Sequence, residues 1–210
     1  MKKLIGKYVA AACGACLLLF TPQANAAPAP VHFGKQMVQF DNLSSGSSVP
    51  YGYGWLGWYN FYALDPSTLD LVSGYLAGLK SPNNVILNSS SPGVVPTIAE
   101  ANLTPNLLAY SEIYSSRYAF ILNSAYLTAA WNDNLQVTVR GYYYGRVAFT
   151  RTYTLSAVRP TLVTFPSQLV TWVDFYSSGG THHVGYAGLG TQFAMDNLTY
   201  VILPIPVLLF

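Results

Sequence analysis

The chain has 210 residues, of which 51% are hydrophobic and 9% charged, with ten basic and eight acidic side chains giving +2. That length suits one domain with a sizeable core. So weak a basic excess does not support a surface built for nucleic acid or for anionic lipid.

The first element is a secretion signal. Met1-Lys2-Lys3 is a short basic start, residues 9–20 are apolar, and Ala24-Asn25-Ala26 is a small-x-small cleavage site. The reading predicts a signal peptide over 1–26, a mature start at Ala27 and a secreted or cell-surface location. Both cysteines, Cys13 and Cys16, lie inside the signal, so the mature fold is expected to hold without disulfides. Removing Lys2, Lys3 and Lys7 turns ten basic residues into seven against eight acidic, a net charge of −1.

Beyond the signal, alternation of apolar and polar residues dominates, and no long stretch carries a helical period. Strands are expected at residues 36–41, 118–122, 125–131, 135–140, 147–152, 161–165, 170–176 and 192–202. Leu135, Val137 and Val139 alternate with Gln136, Thr138 and Arg140, one face dry and one wet. Tyr142 to Arg146 reads as a hairpin end. Two stretches break the rhythm and are read as ordered loops: 44–64, glycines among aromatics, and 177–190, glycines around His182 and His183. The fold class predicted is all-β, a single antiparallel β-sandwich of jelly-roll type over 27–203, followed by an apolar tail at 204–210. That tail holds two prolines and is far shorter than the ~20 residues a membrane helix needs, so no stable membrane span is expected.

Groups able to do chemistry are few. The mature acids are Asp41, Asp65, Asp70, Glu100, Glu112, Asp133, Asp174 and Asp196. Most sit in turn-like contexts, and no serine-nucleophile elbow or zinc-binding helix is present. The chain is therefore read as a non-enzyme, with a polysaccharide hydrolase using a hidden carboxylate pair as one alternative. His182-His183 is a lone adjacent pair in a glycine loop; neighbours on an extended segment point opposite ways, which speaks against joint metal coordination, and the pair is read as solvent-exposed. Asp41 ends the first expected strand and Asp196 lies in the last. Two hard carboxylates from adjacent strands would suit a structural calcium ion, while the simpler reading has Asp41 capping a turn and Asp196 facing solvent. Among the aromatics, Trp131 and Trp172 lie in strand patterns and are expected in the core. Tyr53, Trp55, Trp58 and Tyr59, in the glycine-rich stretch, are the candidate ligand-binding residues. Flat amphipathic rings offer contact area at small entropic cost.

Val38-Gln39-Phe40-Asp41-Asn42-Leu43 and the run from Val49-Pro50-Tyr51-Gly52 to Trp58-Tyr59-Asn60-Phe61 resemble the opening of a group of secreted β-sandwich proteins. Many of these are bacterial and end in a PEP-CTERM sorting tail. The resemblance continues through Leu122 to Asp133 and closes with Gly190-Thr191-Gln192-Phe193-Ala194-Met195-Asp196-Asn197-Leu198-Thr199. It implies a galactose-binding-like jelly roll, exported and surface-associated. Pro204-Ile205-Pro206 lacks the glutamate of the Pro-Glu-Pro signature. Export, low charge and aromatic–glycine loops on a β-scaffold together predict a binding or matrix module engaging polysaccharide. A self-associating surface or biofilm protein is the other alternative.

Overall fold

The computed structural model describes residues 33–88, 97–100 and 118–204. The expected signal at 1–26 and residues 205–210 of the expected tail lie outside the described residues.

Thirteen strands carry the described fold: β1 Gly34–Val38, β2 Leu56–Tyr59, β3 Phe61–Leu64, β4 Val85–Asn88, β5 Thr97–Glu100, β6 Tyr118–Ala129, β7 Asn132–Asp133, β8 Leu135–Tyr143, β9 Arg146–Leu155, β10 Thr161–Thr164, β11 Trp172–Ser178, β12 Thr181–His182 and β13 Phe193–Pro204. Among the described residues helix is confined to one short segment, α1 Gly74–Gly78, and to single 3₁₀ turns at Tyr53–Trp55 and Pro66–Thr68. A six-stranded sheet has the order β10-β6-β13-β4-β3, with β1 also on β13. A five-stranded sheet has the order β2-β5-β11-β8-β9, and β12 pairs with β7 apart from both. Every pairing is antiparallel. The protein is an all-β sandwich, as alternation predicted.

The core joins the inner faces of the two sheets. Phe61 and Phe193 of the six-stranded sheet meet Phe175 of the five-stranded sheet at ring distances of 5.8 and 6.1 Å. All three rings are 0–1% exposed. Burying rings of this size stabilises by about 1.5–3 kcal/mol each, and the edge-on meeting of Phe61 with Phe175 adds to that.

Residues 44–64 are not a loop throughout. β2 and β3 lie inside that stretch, one in each sheet, and Asn60 between them has φ 61°. Asparagine tolerates this left-handed conformation, and the kink carries the chain from one sheet to the other. Each strand is four residues long, too short for its period to stand out among the glycines. The expected strands at 118–122 and 125–131 are one strand, β6. Ser124, between the two expected segments, has its hydroxyl 2.8 Å from that of Thr199 across the ladder. The expected hairpin end is present: Tyr144 and Gly145 both have positive φ (47° and 76°), the backbone of a two-residue type I′ turn.

β13 changes partners partway along. Its first half pairs with β4 and its second half with β1, on the same side. The register shifts between Asp196 and Thr199, where Asn197 has φ 50°. This break leaves a gap between the ends of β4 and β1, and the chain fills it with side chains.

Candidate binding face and the buried carboxylates

The register of the five-stranded sheet determines which side chains share its outer face. Tyr59 pairs with Thr97, Thr97 with Asp174, Asp174 with Arg140 and Arg140 with Thr150. Cross-strand partners point to the same side of a pleated sheet, so these five form one row. Two residues along the strands, the next rows hold Trp172 beside Tyr142, and Tyr176 beside Thr138. The opposite positions, Trp58, Ile98 and Val173, are buried at 0–4% exposure. On the outer face the aromatic side chains are open instead: Tyr59 and Trp172 are each 47% exposed and Tyr176 is 38% exposed.

Asp174 organises this face. It is 7% exposed, and one oxygen, Oδ1, accepts from the Thr97 hydroxyl at 2.7 Å and from the indole Nε1 of Trp172 at 2.6 Å. The Tyr176 hydroxyl donates to the other oxygen, Oδ2, at 3.1 Å. Hydrogen bonds to a charged acceptor are among the stronger ones, so the carboxylate holds two aromatic side chains in set orientations. Burial, and then the neighbouring charge of Asp174, push the Tyr176 phenol up to about 12. The Arg140 guanidinium lies 5.7 Å from the centre of the Tyr176 ring, a cation–π distance. The neighbouring Tyr142 raises its basicity further. Tyr142 in turn meets Trp172 edge-on at 6.4 Å. The result is a fixed aromatic surface with one guanidinium.

Only one of the four aromatic residues singled out in the sequence opens onto this face. Tyr59 does, with Tyr51 beside it at 6.1 Å. Tyr53 is half-buried, stacked on Phe40 at 5.8 Å, and its hydroxyl donates to Asn42 Oδ1 at 2.7 Å. Trp55 is half-buried against the core, with φ 65°. Trp58 is 4% exposed, edge-on to Phe40 and Phe61, and its indole donates to the Tyr53 carbonyl at 2.7 Å. It presents no face to a ligand. Gly54, between Tyr53 and Trp55, accepts a hydrogen bond at its carbonyl from the Tyr200 hydroxyl. A Cβ there would lie 2.5 Å from that hydroxyl oxygen and 2.6 Å from Val38, so the turn closes only on glycine.

The tryptophan expectation divides. Trp131 is buried at 8%, as expected, but Trp172 is not a core residue. Trp131 lies in the bend between β6 and β7 and packs on Tyr75, whereas Trp172 follows strand alternation, whose inward phase is settled by the neighbouring strands. The signal that could have placed Trp172 outside was its spacing: it shares a phase with Asp174, whereas Val173 and Phe175 form the apolar set.

Asp41 and Asp196 do come together, in the gap between β4 and β1. Lys80 N and Ser81 N each donate to Asp196 Oδ2 at 2.7 Å, and Asn197 N donates to Oδ1 at 2.6 Å. Asn83 N and Asn84 N donate to Asp41 Oδ1 at 2.9 and 3.0 Å. The Ser81 hydroxyl stands between, 2.9 Å from Asp41 Oδ1 and 3.0–3.1 Å from both Asp196 oxygens. Asp196 is fully buried, not solvent-facing. Burial raises its pKa, and the hydrogen bonds from Ser81, Lys80 and Asn197 oppose that. Calcium takes about 6–8 oxygen ligands around one point. Here that point holds a serine hydroxyl, and five backbone N–H groups face the carboxylates. The donor set as placed fits two anions better than a cation. Among the described residues no three His, Cys, Asp or Glu side chains converge.

A third acid was missed as a partner. Asp133 Oδ2 lies 2.5 Å from His183 Nδ1, and this contact holds Asp133 below the usual carboxylate range. His183 also packs against Tyr186 at 4.4 Å. The two histidines have separate partners, since His182 Nε2 lies 3.0 Å from the Gly188 carbonyl. His182 is exposed, as expected, and His183 is half-buried.

No family model matches the chain, and no curated protein matches it. Among solved structures it is similar to a DUF4465 family protein from Bacteroides caccae, at 12% identity and TM-score 0.48, covering 80% of this chain and 98% of that one. A DUF4465 family protein from Bacteroides ovatus gives 11% identity and TM-score 0.43, covering 81% and 95%. An arabinose-bound α-L-arabinofuranosidase gives 12% identity and TM-score 0.43, covering 81% of this chain and 26% of that one.

Proposed function

We propose that the protein is an exported, non-catalytic module that binds polysaccharide on the outer face of its five-stranded sheet. The observation that carries this reading is the exposed set Tyr59, Trp172 and Tyr176, oriented around Asp174 and Arg140 on rigid strands. Half-exposed aromatic rings held by buried hydrogen bonds lose little entropy on binding, and their flat apolar faces match the C–H faces of sugar rings. The register places a single carboxylate on this face among the described residues, whereas glycoside hydrolysis uses a pair. The signal-like start and the resemblance to secreted sandwich proteins support export and a jelly-roll topology. The Asp41–Ser81–Asp196 cluster we read as a structural clamp that works without calcium.

The test is binding of the mature protein to an array of microbial and plant polysaccharides, with Trp172→Ala as the control. Binding lost in the variant while far-ultraviolet circular dichroism is unchanged supports the proposal. Concentration-dependent oligomers with no glycan bound would favour the self-associating surface protein instead. Turnover of a glycan that is abolished by one acid substitution would establish an enzyme.

A further inference from the structure

The start and the end of β13 lie at opposite ends of the sandwich, Phe193 beside Ala129 and Pro204 beside Tyr118. Near the start, α1 packs on β6 and β13. Gly74 N donates to the Ala130 carbonyl at 2.9 Å, and Tyr75 meets Trp131 edge-on at 5.4 Å. Successive residues on a helix are turned by about 100°, so with Tyr75 buried, Leu76 points outward and is 58% exposed. Between α1 and the 3₁₀ turn at Pro66–Thr68 lies a groove of about 350 Å³ whose apolar lining is Pro66, Leu69, Leu71, Val72 and Leu76. Leu71 and Val72 are 42% and 65% exposed. The one charged residue in the lining, Asp70, is itself exposed and keeps its hydration. Exposed apolar side chains gathered around one concave place mark a site that takes a partner.

At the other end, β13 gives way to Ile205-Pro206-Val207-Leu208-Leu209-Phe210, six residues without a charge or a polar side chain. We propose that this segment docks in the α1 groove of a second copy of the chain, so that the protein assembles head to tail. Its own groove is out of reach. The twelve residues of β13 set the two ends ~36 Å apart, and six residues span at most about 20 Å. A second copy meets no such limit, because the segment leaves from the end of the molecule remote from the groove. The chemistry of the two surfaces matches: docking takes apolar side chains of both partners out of water, and the segment brings no charge that must be desolvated. The contact joins two different surfaces, so it repeats from copy to copy and grows an open row unless the rotation closes a ring. The aromatic face lies on the other sheet and stays free, so each added copy presents it again, which multiplies the grip on a repeating polymer.

Sedimentation velocity of the mature protein from about 1 to about 500 μM, the range of weak specific contacts, should show species that grow with concentration. Deletion of residues 205–210 should leave a monomer throughout. Leu76→Asp should raise the concentration of half-assembly by about tenfold or more, since a carboxylate in the groove must be desolvated when the segment docks. The deciding measurement is a mixture of the two variants. The deletion variant keeps its groove and Leu76→Asp keeps its segment, so together they should form a dimer that stops at two. Val72→Asp repeats the block at a second exposed position, and unchanged melting temperatures keep misfolding from imitating lost docking. A parent that stays monomeric throughout overturns the inference. Oligomers that survive the deletion come from another surface and overturn it too. Oligomers that the deletion abolishes but both groove variants leave intact place the segment elsewhere, which overturns the groove. A mixture that stays monomeric overturns the head-to-tail pairing. Trp172→Ala should assemble like the parent, which keeps this test separate from that of the glycan face.

Discussion

Two buried aspartates serve this protein in opposite ways. Asp196, in the gap of the six-stranded sheet, receives backbone N–H groups of residues 80, 81 and 197 together with the Ser81 hydroxyl. Asp174, under the outer face of the five-stranded sheet, receives only side chains: a threonine, a tryptophan and a tyrosine. Backbone donors that lose their acceptor have nowhere else to turn when buried, so the first carboxylate holds the chain path. Side-chain donors at a half-exposed surface can turn to water. The second carboxylate therefore holds orientations, and its loss should be felt in recognition more than in stability. The identity of the donor separates a structural acid from one that shapes a surface.

The sharpest break of this comparison is Asp196→Ala. Three backbone N–H groups lose their acceptor at ~1–3 kcal/mol each before relaxation, so the variant should lose more than about 3 kcal/mol in urea unfolding. An unfolding free energy within about 1 kcal/mol of the parent would mean that Asp41 and Ser81 hold the gap unaided. The tryptophans extend the contrast. Trp58→Ala empties a core site and should cost about 3–5 kcal/mol, whereas Trp172→Ala should cost about 1 kcal/mol or less while removing glycan binding. Equal losses by thermal melts would erase the distinction between the two faces.

Asp174→Ala should be milder than Asp196→Ala, at about 1–2 kcal/mol, with a clear change in tryptophan fluorescence as the Trp172 indole is released. Smaller still is the effect on the phenol. With Tyr176 pushed up to about 12, the native state keeps a proton that the unfolded phenol loses near its ordinary value of about 10. This contribution to stability is intact below pH 10 and is lost as pH rises through 10 to 12. Asp174→Asn should bring the Tyr176 titration, followed by phenolate absorbance, back toward 10. No shift would sever Asp174 from Tyr176. The smallest effect expected is none: melts in calcium and in chelator should coincide, because the space between Asp41 and Asp196 holds the Ser81 hydroxyl. A calcium-dependent rise in melting temperature would restore the ion and reassign the cluster.

The sequence by itself determined the class of the fold. Period-2 alternation in β8 and β9, a turn centred on Tyr144-Gly145, and the near absence of helical period were all local, and local steric preference sufficed to read them. It also flagged Asp41 and Asp196 as neighbours, because first and last strands often pair in such sandwiches. What it left open was phase and partner. The sequence sets Trp58 in a glycine-rich stretch as a ligand candidate and Trp172 in a strand pattern as core, yet Trp58 is buried because β2 turns it toward Phe40 and Phe61, and Trp172 is exposed because Val173 and Phe175 take the inward phase. Tyr59, Asp174 and Arg140 become one row only through cross-strand register, by pairings that no local pattern encodes. Nor did the two aspartates reveal their donors, since the amides of residues 80–84 reach them only because β13 changes partners at Asn197. Alternation is a property of neighbouring residues, whereas the side that becomes the core, and what a buried charge finds there, follow from which strands come to lie beside each other.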